Sequence, residues 1–364
     1  MDFERHARRT AHRPCAHGGR KETDSGAFLD ASANVNPLAP CPELMTVLRG
    51  ALDDPGTLLA YPDSSYGAAR AAIARHAGAP APACALPVNG AIELIALFCA
   101  AFVRPGDAGI VTAPTFCEYE RFLCQHGGSP LRVPHEAVAT EGPANALLPH
   151  VTPTTTVVFL CNPNNPTGDL ASRREVCALA RELEDRSIMV LVDEAFIDLH
   201  PEASVAHDVG RHPNVVVCRS LTKILGIPGL RAGYGIGAPD AVSLMASHQM
   251  PWSVNSLSRS VLESLPLFEP FMHTSARFLA QEKDWLFEHC SAVPHLTVHP
   301  SHAWYLMASH DTLSSVELVD RMRDRGVLVR GCHSFAGGDT HGIRLAVRGR
   351  HDNETLLAAL RAVC

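Results

Sequence analysis

Four apolar runs, at 108–112, 157–160, 189–192 and 215–218, recur along the chain with helical patterns between them. Each lacks the polar alternation of a half-exposed strand, so each reads as a strand buried on both faces. Strands of that kind need helices above and below them, which predicts a mostly parallel sheet in a three-layer αβα arrangement. Helical patterns are expected at 43–52, at 66–77 and from Gly90 through Phe102, with the stretch 240–290 mainly helical. The last hundred or so residues read as a smaller α+β unit, with strands near 303–307, 327–330 and 342–347. The expectation is therefore an α/β chain in three parts. These are an extended arm at 1–41 lying over the site, a large domain at 42–260 and a small C-terminal domain at 261–364.

The ends of these strands carry the chemistry, because open α/β sheets bind ligands at their carboxyl edge. Val190-Leu191-Val192 runs into Asp193-Glu194-Ala195-Phe196, delivering a carboxylate there. Val157-Val158-Phe159-Leu160 runs into Cys161-Asn162-Pro163-Asn164-Asn165-Pro166-Thr167-Gly168, a rigid loop whose amides can bond a ligand edge. Downstream comes Ser220-Leu221-Thr222-Lys223, with Arg231 eight residues after the lysine and glycines between. A lysine for a covalent bond to an aldehyde, a hydroxyl and an arginine for a phosphate, and an acid for a ring nitrogen together suit pyridoxal 5′-phosphate. Singly, each piece has a plainer reading. Asp193 also suits a helix cap, the Asn-Pro loop an ordinary turn and Lys223 the surface.

Composition excludes several other classes. The 364 residues are 46% hydrophobic and 19% charged, as in ordinary globular proteins. A net charge of −7 provides no basic field for nucleic acid. The apolar stretch 92–103 is too short and interrupted to span a bilayer, and the Arg- and His-rich segment 1–14 lacks the apolar core of a secretory signal. Twelve cysteines without a C-x-x-C pair read as reduced, mostly buried thiols, consistent with a cytoplasmic chain. Twenty histidines without metal-ligand spacing give no metal site.

These blocks resemble the class I/II aminotransferase superfamily, the fold-type-I pyridoxal phosphate enzymes. The resemblance covers nearly the whole chain. Within the superfamily the chain is most similar to the L-threonine-O-3-phosphate decarboxylases of cobalamin biosynthesis, and next to histidinol-phosphate aminotransferases. The motifs favouring the former are His17-Gly18-Gly19, Asp30-Ala31-Ser32-Ala33-Asn34-Val35-Asn36-Pro37-Leu38, Asp193 through Asp198, Arg219 through Tyr234, and the unusual heptapeptide Gln249-Met250-Pro251-Trp252-Ser253-Val254-Asn255. The resemblance implies that Lys223 holds the cofactor aldehyde and afterwards exchanges protons at the substrate. It implies that Asp193 pairs with the ring nitrogen, Asn165 bonds the ring hydroxyl and Phe116 stacks on the ring. Gly90, Ala91, Ile92, Ser220 and Arg231 cradle its phosphate, joined by Tyr61 from a partner subunit. At the cofactor end two positions depart from the relatives: Ile92 replaces a hydroxyl residue, and Phe196 replaces a tyrosine donor common in aminotransferases.

For the substrate, the resemblance points to Arg344 and Arg330 as anion grips, and to His17, Gly18, Gly19, Ser32, Asn34 and Asn165 as further contacts. Two guanidinium forks suit a molecule with both a carboxylate and a phosphate. Arg20 stands where these decarboxylases carry asparagine. That change leaves room for a more highly charged substrate, such as a phosphonate amino acid, nucleotide-linked or not, or for a residue facing water. The expected activity is decarboxylation of a phosphorylated amino acid in a homodimer, with transamination of histidinol phosphate or a similar amine as the alternative. A cofactor-sensing transcription regulator is the reading from another class. It would need a winged-helix domain, for which the 1–41 arm has no room.

Overall fold

The structure is a computed structural model that describes Gly18, Gly19 and residues 28–364. The chain enters at a short strand, β1 (Leu29–Asp30), and then contributes seven strands to one sheet. These are β2 (Ala85–Asn89), β3 (Ala108–Ala113), β4 (Ser129–Pro134), β5 (Thr155–Cys161), β6 (Met189–Asp193), β7 (Val215–Ser220) and β8 (Ala232–Gly237). Their spatial order is β2-β8-β7-β6-β5-β3-β4. Strands β4, β3, β5, β6 and β7 are parallel, and β8 runs antiparallel to both of its neighbours. The mostly parallel α/β sheet expected from the apolar runs is thus what forms.

Both faces of the sheet are buried, which explains the unbroken apolar runs. Val158, Leu160, Val190 and Val192 face one hydrophobic core. Their alternating neighbours Val157, Phe159 and Leu191 face the other. Strand β8 escaped the sequence reading because it is Ala-Gly-Tyr-Gly-Ile-Gly. Its glycines answer to close packing rather than to a turn. A Cβ on Gly233 would lie 2.8 Å from the Ala91 nitrogen, and one on Gly235 would lie 2.6 Å from a Leu94 methyl. The helix Ala91–Phe102 therefore sits directly on β8.

The C-terminal part holds an antiparallel sheet. It contains β9 (Leu296–His299), β10 (Tyr305–His310), β12 (Arg330–Gly331) and β13 (Gly342–Ala346), ordered β12-β13-β10-β9. The short β11 (Val327–Leu328) precedes β12 and pairs in parallel with β1, Leu29 opposite Val327. The segment after β1 stays anchored: the Ala346 N–H donates to the Ala31 carbonyl at 2.9 Å. Asn36 donates to the Ile224 carbonyl at 2.7 Å and to Ser275 Oγ at 2.8 Å. Residues 31–36 are thereby strung from the small sheet to the turn that carries Lys223.

Most of the free thiols among the described residues are buried, as expected. Among the described residues no helix is long and apolar enough to cross a membrane.

Candidate active site

Beyond the carboxyl ends of β5, β6 and β7 lies a cavity of about 350 Å³, closed on its far side by β12, β13 and the 31–36 segment. Lys223 enters it from the one-turn helix Leu221–Ile224, which starts as soon as β7 ends. Burial pushes its amine from the ordinary 10.5 down to about 8, helped by the Arg344 and Arg231 cations and opposed by Asp193. A buried amine with that pKa is partly the free base near neutrality, the form that attacks an aldehyde.

Asp193 ends β6 on the cavity wall and is only 4% exposed. Its Oδ2 accepts a 2.7 Å hydrogen bond from the Tyr119 hydroxyl, and its Oδ1 accepts from the Ala195 N–H at 3.0 Å. Burial raises its pKa, and these two donors hold it back. A carboxylate so placed is ready for a cationic partner such as a protonated ring nitrogen. Tyr119 stacks on Phe159 with centroids 5.4 Å apart and meets the edge of Phe116 at 5.6 Å, so Phe116 forms a fixed aromatic wall.

The anion cradle lies at the other end of the cavity. Gly90 caps the helix Ala91–Phe102 with φ 77°, a left-handed value that suits glycine. A Cβ there would lie 2.6 Å from Arg231 Nη2, so the guanidinium rests over the helix start. Arg231 itself has φ 63° and is tied through Nη1 to the Pro228 carbonyl at 3.0 Å. Ser220 and Thr222, hydroxyls 2.7 Å apart, complete the rim. Helix N–H groups, a cation and two hydroxyls make a phosphate site.

The opposite wall carries the arginines. Arg344 on β13 is 6% exposed. It donates from Nη1 to Asn165 Oδ1 at 2.6 Å and from Nη2 to the Ser32 carbonyl at 2.7 Å. Its Nε is buried without a hydrogen-bond partner, and burial lowers the guanidinium pKa to about 10. Arg330 stands opposite Arg344 on β12, with its guanidinium 5.1 Å from the Phe335 ring centre. Both polar atoms of the Asn34 side chain line this wall, buried and unpartnered. Gly18 borders the cavity, while the Gly19 N–H donates to Ser32 Oγ at 2.8 Å, and that hydroxyl in turn donates to Asp30.

The structure thus gathers Lys223, Asp193, Phe116, Asn165, Phe196, Ala91, Ile92, Ser220, Arg231, Gly18, Ser32, Asn34, Arg330 and Arg344 around one cavity. Gly90 lies directly beneath Arg231. Tyr61 is elsewhere: 79% exposed, stacked on Trp252 and outside its own chain's cavity. His17 and Arg20 lie outside the described residues. Sequence reasoning missed Tyr119, Thr222 and Phe335. Tyr119 stands three residues after Phe116, a spacing that marks it as a neighbour of the ring wall; Phe335 had no such signal.

These residues fit pyridoxal 5′-phosphate on independent grounds. The amine, the buried carboxylate and the anion cradle each match one end of the molecule. The unpartnered Asn34 amide and Arg344 Nε mark polar groups that await a ligand.

Comparison with known proteins agrees. The aminotransferase class I and II profile matches residues 27–363. The chain is 36% identical over 338 residues to the threonine-phosphate decarboxylase of Salmonella typhimurium, covering 92% of this chain and 91% of that protein. It is 26% identical over 339 residues to the histidinol-phosphate aminotransferase of Methanosphaera stadtmanae, covering 93% and 90%. The histidinol-phosphate aminotransferase structure from Sinorhizobium meliloti in complex with pyridoxal 5′-phosphate superimposes with a TM-score of 0.80 at 22% identity, over 91% of this chain and 89% of that one. The chain belongs to the aminotransferase class I and II family, as a fold-type-I enzyme whose cofactor is pyridoxal 5′-phosphate.

Proposed function

We propose that this enzyme decarboxylates a phosphorylated amino acid resembling L-threonine O-3-phosphate, releasing CO2 and an amino alcohol phosphate. The observation that carries the reading is the pair of guanidinium groups, Arg344 and Arg330, facing each other on adjacent strands of one cavity wall. The similarity to the Salmonella decarboxylase supports it. Two forks can hold two anionic groups, and Ser32, Asn34 and Gly18 beside them enlarge the anion-binding end.

When bound, the cofactor supplies an electron sink conjugated to the substrate's amino carbon. The chain's own residues would then decide which bond at that carbon is lost. If Arg344 and Arg330 held the substrate by its phosphate, the carboxylate would remain ungripped and could be released as CO2. If they held the carboxylate instead, it would be retained and loss of the C–H proton, the route to transamination, would be favoured. After CO2 leaves, the Lys223 amine is placed to deliver the replacing proton, a role suited to a pKa of about 8. Phe116, Phe196 and Phe335 keep water from the reacting face. Phe196 packs edge-on to Trp304 and Tyr305 and offers no hydroxyl, so Lys223 and Asn165 carry the polar contacts on that side.

A homodimer is part of this reading. Leu58, Leu59, Tyr61, Met250 and Trp252 are all exposed, an apolar surface that suits a second copy, and Tyr61 then reaches the partner's cradle. Sedimentation of a fully active monomer would rule this out. We place the enzyme in the cytoplasm.

The deciding experiment is incubation of the cofactor-loaded enzyme with L-threonine O-3-phosphate and no keto acid. Stoichiometric CO2 and aminopropanol phosphate are expected. No CO2, together with conversion of the cofactor to its amine form by histidinol phosphate, would place the chain with the aminotransferases, the second reading that the Methanosphaera relative supports.

A further inference from the structure

The heptapeptide Gln249–Asn255 has no place in the cavity, yet it bonds to Glu93 in the first turn of the cradle helix and to Leu230 beside Arg231, and it stacks on Tyr61. We propose that it acts as a bracket that positions the cofactor-phosphate site, with Trp252 as the positioning residue for Tyr61.

At its leading end, Gln249 Nε2 donates to the Pro87 carbonyl at 2.9 Å and to Glu93 Oε2 at 3.4 Å. Ser253 Oγ donates to the same Glu93 oxygen at 3.3 Å, and so does the Asn89 N–H at 2.6 Å. Glu93 stands in the first turn of the helix Ala91–Phe102. With its carboxylate oxygen filled by donors from two segments, it acts as a tie between the bracket and the helix start.

At its trailing end, Asn255 Nδ2 donates to the Leu230 carbonyl at 3.1 Å, and Ser258 Oγ donates to the same oxygen. Leu230 is the immediate neighbour of Arg231. Asn255 also caps the following helix through the Ser258 N–H at 2.9 Å, so this grip rests on a rigid element. Between the two ends, Val254 is fully buried and its N–H donates to the Tyr66 hydroxyl at 3.3 Å.

Trp252 occupies the middle. Its φ of 58° is a left-handed conformation that a bulky residue adopts only under constraint. The residue is 47% exposed, so core packing does not explain the strain. What the conformation achieves is a stack: the Trp252 ring lies 4.4 Å from that of Tyr61, at an interplanar angle of 28°. Tyr61 is 79% exposed and has no other ring to rest on among the described residues. The bracket thus fixes the helix start through Glu93, Arg231 through Leu230, and the direction of the Tyr61 phenol through Trp252. The Tyr61 branch rests on the homodimer of the proposed function; the other two branches do not.

The test compares pyridoxal 5′-phosphate with pyridoxal, which lacks only the phosphate. Dissociation constants are measured on the full chain for Trp252→Ala, Trp252→Phe and Tyr61→Phe, with sedimentation on the same samples. Trp252→Ala should weaken pyridoxal 5′-phosphate about tenfold, the factor a stacked aromatic pair supports, and leave pyridoxal unchanged. Trp252→Phe, which keeps a stacking ring, should recover most of the loss, and Tyr61→Phe should reproduce it. Equal losses for both ligands, or no loss, would mean that Trp252 is merely structural and would overturn the proposal. A phosphate-selective loss in Trp252→Ala with none in Tyr61→Phe would overturn the route through Tyr61. No substrate enters the assay, so a failed decarboxylase reading leaves it intact. A monomer in sedimentation would overturn the Tyr61 branch separately.

Discussion

Lys223 should destabilise the fold that holds it. In the cofactor-free chain its amine sits at about 8 against an ordinary 10.5, chiefly because it is buried, and secondarily because Arg344 and Arg231 face it. Below pH 8 the amine is protonated in both the folded and unfolded states, and the folded state bears the full penalty. Between 8 and 10.5 the folded chain releases the proton while the unfolded chain keeps it, so stability rises with pH through this window. Lowering an amine from 10.5 to about 8 corresponds to about 3 kcal/mol. Lys223→Met should therefore stabilise the cofactor-free protein by up to about 3 kcal/mol at pH 7 and by only about 1 kcal/mol at pH 10. Urea unfolding of both proteins at the two pH values measures the difference directly. A gain that is the same at pH 7 and pH 10, or no gain at either, would refute the argument, because only titration of the amine makes the difference vary with pH.

Three further substitutions test the remaining parts of the site. Arg344→Lys keeps the charge but cannot hold both Asn165 Oδ1 and the Ser32 carbonyl while gripping substrate. Losing one charged hydrogen bond, about 1.5–3 kcal/mol, should lower kcat/KM for the phosphorylated substrate roughly tenfold to a hundredfold in steady-state assays. Tyr119→Phe removes the hydroxyl that donates to Asp193, so the carboxyl pKa, already raised by burial, should rise further; the acid limb of the kcat/KM profile then moves to higher pH. Arg219→Met removes the cation paired with the buried Glu194 at 2.9 Å and leaves that carboxylate only its hydrogen bonds from the Ser204 hydroxyl and the Val205 N–H; it should cost about 3–5 kcal/mol in denaturant unfolding, much of it recovered when Glu194 is also replaced by Met.

The sheet was legible wherever burial on both faces left an apolar run. The expected strands at 108–112, 157–160, 189–192 and 215–218 are the cores of β3, β5, β6 and β7. The strands that were missed obey other constraints. β4 opens Ser129-Pro130 and closes on Pro134, residues that argue against a strand, but it is an edge strand where a missing N–H costs little. β8 has glycine at 233 and 235 because the helix Ala91–Phe102 leaves no space for a side chain. A pattern rule that scores glycine as a strand breaker fails where backbone meets backbone.

The same distinction separates what could be read of the site from what could not. Asp193, Asn165, Ser220 and Lys223 were readable because each lies at or just past a strand end, and the fold places strand ends together. Arg344 and Arg330 come from a different sheet, and Ser32 and Asn34 from near the start of the chain. They meet the others through the pairing of β1 with β11, the Ala31–Ala346 hydrogen bond and the Arg344 bonds to Ser32 and Asn165. No local pattern in Leu29-Asp30 announces that pairing; two residues are too few to show a period. The long-range step that completes the substrate end of the cavity is thus carried by the two-residue strand β1, the Ala31–Ala346 hydrogen bond and the contact of Asn36 with the Lys223 turn. An enzyme built this way has its cofactor half fixed by a rigid sheet. The proposed substrate half is joined to it by a few backbone and side-chain hydrogen bonds, so substitutions near Asp30 to Asn36 should change KM more readily than cofactor affinity.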